Sequence, residues 1–76
     1  MNGALLQARL LEKKARIEAT KSRIAGMQAE NAVRASLDQS VAYDEADFAI
    51  DTQTLEALAG DVARLGDEYA KVKGWL

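Results

Sequence analysis

The sequence predicts an all-α fold, an antiparallel coiled-coil helical hairpin that dimerises into a four-helix bundle. Three observations predict it. The 76 residues include no proline and are rich in Ala, Leu, Glu, Gln, Lys and Arg, the strong helix formers. Apolar residues recur at alternating spacings of three and four. The two halves of the chain carry charge of opposite sign.

The C-terminal half has the clearer repeat. Leu55, Leu58, Val62, Leu65, Tyr69, Val72 and Leu76 follow one another as the a and d positions of a heptad. This helix is expected over about residues 47–74. Asp51 is a candidate N-cap, with Ile50 and Leu55 on either side as a hydrophobic staple. Lys71 and Lys73 complement the helix dipole near its end, and Gly74 is the expected stop.

The N-terminal half, expected helical over about residues 4–36, has a weaker repeat. Leu10, Ile17, Ile24 and Asn31 occupy a, while Leu6, Lys13, Thr20 and Met27 occupy d. Polar residues in a seam cost stability and fix register. Lys13 is expected to lay its stem on the seam and hold its amine in water.

A bend is expected at about residues 36–46, where the pattern drifts. No glycine or proline lies between Met27 and Ala59, so the turn falls to Asp38-Gln39-Ser40 or Asp44-Glu45. Ser36 with Gln39 also reads as a capping box opening a short new helix.

Charge gives the direction of pairing. Residues 1–35 hold seven bases and three acids, a net of +4; residues 36–76 hold three bases and nine acids, a net of −6. Arg9, Arg16 and Arg23 form the g row of the first helix, and Asp47, Asp61 and Glu68 that of the second. Antiparallel coiled coils place g opposite g, so opposite charges meet. Stacking Leu10 on Val72, Ile17 on Leu65, Ile24 on Leu58 and Leu6 on Leu76 aligns the apolar layers, and sliding by one heptad is expected to strand Leu10. A long continuous helix paired with a second antiparallel chain makes the same layers between molecules.

One domain spans residues 1–76, and a chain this short with 5% aromatics builds little core alone. Ala59, Ala63, Gly66 and Ala70 lie in a row beside the seam, where a further helix could approach closely. A homodimer is therefore expected.

Composition also narrows the function. The chain has neither cysteine nor histidine, which removes disulfides, thiolate nucleophiles, histidine triads and the usual zinc sites. The glycines are isolated, so no phosphate loop is present, and the acids around Asp44 do not match a calcium loop. No apolar run spans a membrane and no signal peptide opens the sequence, so a cytoplasmic protein is expected. The expectation is a protein without enzymatic activity, metal or cofactor.

What remains is binding. Val33, Leu37, Val41, Tyr43 and Phe48 stand among Asp38, Asp44, Glu45 and Asp47 at the bend, a combination suited to docking a basic protein surface, with Leu37, Val41, Tyr43, Asp44, Glu45, Asp47 and Phe48 the expected contacts. An adaptor, chaperone-like partner or inhibitor is expected, of the kind found among phage, plasmid and secretion accessory proteins. The first alternative is a nucleic-acid-binding regulator using Arg9, Lys13, Lys14, Arg16, Lys21 and Arg23 against phosphates. The second is a structural subunit of a larger assembly. Trp75 is either an end-cap or an anchor for a partner.

Overall fold

The computed structural model describes residues 2–74. Two helices account for most of them, α1 (Gly3–Ser36) and α2 (Glu45–Lys73), joined by residues 37–44. The expected roles of Trp75 and Leu76 lie outside the described residues. The chain turns back on itself, so the pairing is a hairpin, about 58 Å long and 15–17 Å across. Among the described residues no helix is long and apolar enough to cross a membrane.

Each helix end has a local cause. Asn2 caps α1, its Oδ1 accepting from the Leu5 N–H at 2.8 Å. At the other end Asp38 takes the left-handed conformation, with φ of 58°. Its N–H donates to Ala35 O while the Gln39 N–H donates to Arg34 O, the pair of bonds that closes a helix around a left-handed residue. Aspartate tolerates that conformation better than most side chains, which is why the turn needs no glycine. Gly74 ends α2 in the same conformation, with φ of 78°, as its position predicts.

Two expected boundaries are wrong. Ser36 opens no new helix: it is the last residue of α1, and its Oγ donates to Val33 O. Asp51 does not cap α2. The helix starts at Glu45, capped by Asp44 in a reciprocal box with Asp47. That box satisfies two backbone donors at once, which a lone aspartate at 51 would not. Asp51 instead lies inside the helix and is buried, while Ile50, the expected staple, is 62% exposed.

The helices run antiparallel, since cross-helix partners climb one helix as they descend the other. The register, however, is not the expected one. Lys13 meets Asp61, Arg23 meets Asp51 and Asn31 meets Tyr43, pairs whose residue numbers all add to 74. The apolar stacking in the sequence reading has numbers adding to 82. The helices are displaced by about one heptad, and Leu10 comes level with Leu65 rather than losing its partner. The cause is the shape of the bend. Residues 40–43 run back beside the last turns of α1, so α2 begins level with Asn31 instead of Ser36.

The seam is buried unevenly. Leu6, Met27, Leu58 and Leu65 form the buried apolar core, and every one is a d residue, as is buried Asp51. The a residues Leu10, Ile17, Ile24, Leu55 and Val62 are only half-buried. Lys13 behaves as its amphipathic stem predicts, half-buried on the seam with its amine 3.3 Å from Asp61 Oδ2. The cross-helix ion pairs differ from the expected g-to-g rows. They join g to d, as in Arg23–Asp51, or d to g, as in Lys13–Asp61.

Candidate functional site

The bend is built around one side chain. Asn31 Nδ2 donates to the Tyr43 carbonyl at 2.8 Å, and its Oδ1 accepts from the Ala42 and Tyr43 N–H groups, each at 3.0 Å. A carboxamide is the side chain that offers donor and acceptor together, so Asn31 holds two successive residues of the returning loop. Its place at an a position marked it only as a polar interruption of the seam. A contact to backbone eleven and twelve residues away leaves no periodic trace in the sequence.

The residues expected to bind a partner divide into two groups. Leu37 is the C-cap residue of α1 and 61% exposed, Val41 on the returning loop is 56% exposed, and Glu45 is exposed in the first turn of α2. The other four also make contacts within the hairpin. Asp44 and Asp47 accept each other's backbone N–H groups at 2.9 and 3.0 Å. Tyr43 is half-buried and bonded to Asn31 through its backbone, and Phe48 is half-buried on the seam. Phe48 also lines an open groove of about 460 Å³ with Glu45, Ala49, Thr52, Gln53 and Glu56.

Val33, which the sequence also places among these residues, belongs with the presented group. Val33 is 55% exposed, one turn before Leu37 on α1. Together Val33, Leu37 and Val41 give the bend end three uncovered aliphatic side chains. The same bend segment carries Asp38, Asp44, Glu45 and Asp47, and Arg34 at its start is paired with Glu30 at 3.0 Å. The end is therefore apolar and negatively charged.

The basic residues of α1 are differently placed. Lys13 and Arg23 reach across to α2, at 3.3 Å from Asp61 and 3.5 Å from Asp51. Arg16 pairs with Glu12 at 3.2 Å and Lys21 with Glu18 at 3.3 Å, both within α1. Arg9 and Lys14 are exposed and make none of these pairs. Asp61 also receives Arg64 at 3.0 Å, and the hydrogen bond from Lys13, aided by Arg64, holds its carboxyl below the ordinary aspartate range. The groove beside this cluster, about 500 Å³, is open to solvent between Arg9, Glu12, Lys13 and Arg64.

Comparison of the chain with protein-family models, curated proteins and solved structures finds no match.

Proposed function

We propose that this chain is a small non-catalytic protein-binding module, an adaptor, chaperone-like partner or inhibitor, that occupies another protein's surface with its bend end. In this reading it acts as a homodimer, a four-helix bundle of two hairpins. The observation that carries it is that Val33, Leu37 and Val41 are each exposed in a bend segment that also holds four acids. Aliphatic groups that the hairpin itself does not cover gain by burial against a partner, and the acids of the segment favour a basic one. The bend is also held in one shape by Asn31, so little ordering is needed on docking.

What supports a protein partner over a nucleic acid is the pairing of the bases. Four of the six candidate residues already hold carboxylates, two of them across the hairpin. A phosphate backbone would have to displace those partners, and the seven acids on α2 would repel it.

The test is affinity capture from the native host with the wild-type chain and with Leu37→Glu/Val41→Glu. Both positions are exposed, so helix content should stay unchanged. Loss of a buried aliphatic anchor and entry of a charge should weaken capture by at least about tenfold. Undiminished capture by the double variant would remove the bend end as the site.

A further inference from the structure

The register leaves three layers of the hairpin mismatched. Val72, a d residue, lies over Gly3, where an added Cβ would meet its Cγ1 at 3.5 Å, and it is 50% exposed. Asp51, level with Ile24, is 5% exposed, and its Oδ2 has no hydrogen-bond partner. Asn31, at an a position, turns its amide to the backbone of residues 42 and 43.

Moving α2 by one heptad toward the bend, about 10 Å, repairs all three. Val72 comes level with Leu10, Leu58 with Ile24, and Asp51 with Asn31, whose Nδ2 is a donor of the kind the orphan oxygen lacks. Other layers exchange like for like: Ile17 passes from Leu58 to Leu65, and Met27 from Phe48 to Leu55. Lys13 passes from Asp61 to Glu68 at the same offset. The bend permits the move. After it, α2 begins level with the end of α1, and residues 37–44 need only cross from one helix to the other. A link of that length reaches up to about 26 Å, more than the roughly 8–10 Å between packed helix axes.

Three losses oppose the move. The hydrogen bonds from Asn31 to residues 42 and 43 break. Phe48 comes level with Arg34 rather than with Met27. Glu30, now paired with Arg34, takes the place of Arg23 beside Asp51, and like charges there repel. The second and third losses belong to the seam. The first depends on the bend alone, so a group that engages the backbone of residues 42 and 43 removes it.

We propose that the hairpin has a second register, one heptad from the first, and that Asn31 is the latch between them. A group that takes the residue 42 and 43 amides from Asn31 shifts the balance toward the second register, by as much as it binds that state better. The device joins the bend to the opposite end of the rod, where Val72 passes from Gly3 to Leu10. It stands independently of which partner the bend end holds.

The test uses the full chain, which has no cysteine of its own. Leu10→Cys/Leu65→Cys/Val72→Cys gives position 10 two competing disulfide partners, position 65 in the first register and position 72 in the second. In a glutathione redox buffer, peptide mapping by mass spectrometry reads the ratio of the two links, and circular dichroism reads helix content. With Asn31 in place the link to position 65 should predominate. Asn31→Lys removes the acceptor and supplies a cation to Glu30 and Asp51 in the second register. The ratio should then rise toward position 72 by at least about tenfold with helix content kept. Ala42→Pro removes one latched N–H from outside both helices and should move the ratio the same way. Asn31→Asp keeps the two accepted bonds but sets carboxylates together in the second register, so its ratio should not rise. An unchanged ratio in both Asn31→Lys and Ala42→Pro, a rise that comes only with melted helices, or an equal rise in Asn31→Asp would overturn the second register.

Discussion

Asp51→Leu should stabilise the hairpin by about 1–3 kcal/mol, although Asp51 is one of the five buried residues at the centre of the fold. The aspartate is 5% exposed, and its Oδ2 has no hydrogen-bond partner. Among the described residues its counter-charge is Arg23 Nε, 3.5 Å away on a side chain that is 68% exposed. The guanidinium therefore remains in water while the carboxylate has left it. Desolvating a carboxylate costs several kcal/mol, and a single long contact to a hydrated base does not return that much. Leucine fits a d position and adds apolar surface level with Ile24 and Met27. In urea denaturation the midpoint should rise with the slope unchanged. A lowered midpoint would show that the Arg23–Asp51 pair contributes more than leucine packing.

Asn31→Ala should act in the opposite direction and lower stability by about 1.5–4.5 kcal/mol, from three hydrogen bonds at about 0.5–1.5 kcal/mol each. The loss should be local at first. The Ala42 and Tyr43 N–H groups, both donated to Asn31 Oδ1, should lose their protection against hydrogen exchange, while those in the middle of α1 keep theirs. With the returning loop released, the helices are free to slide toward the stacking that the apolar residues alone would choose. Retained protection at residues 42 and 43 would mean that something other than Asn31 holds the bend.

These two residues also mark the limit of what the sequence makes legible. The helices, the a and d seam, the antiparallel direction and the stop at Gly74 follow from periodicity, charge and local propensity, and all are visible along the chain. The register is not, because long-range polar contacts set it. Asn31 clamps the bend, and Lys13 and Arg23 take Asp61 and Asp51. Apolar layers one heptad apart are too alike to compete with that choice. The start of α2 was obscured for a related reason. Asp44, Asp47 and Asp51 are all credible caps by type, and only the reciprocal geometry of the first two separates them.

The bend end shows the same ambiguity at the level of the candidate site. Val33, Leu37 and Tyr43 stand out because they fall off the seam; the structure leaves Val33 and Leu37 exposed, and Val41 with them, but half-buries Tyr43. Tyr43, Asp44, Asp47 and Phe48 share the composition of a docking patch, and in the structure Asp44 and Asp47 also cap α2, Tyr43 is tied by its backbone to Asn31 and Phe48 is half-buried on the seam. An acid beside a turn serves equally as a cap or as a recognition group, and composition does not distinguish the two.

The proposed docking of another protein at the bend end has a direct readout. The most direct measurement places a photo-cross-linking amino acid at position 37 of the full chain, expressed in its native host. The account predicts a covalent adduct with one other protein, which disappears when Val41→Glu is added. Adducts formed only with a second copy of the chain, or an adduct that persists unchanged with Val41→Glu, would contradict it.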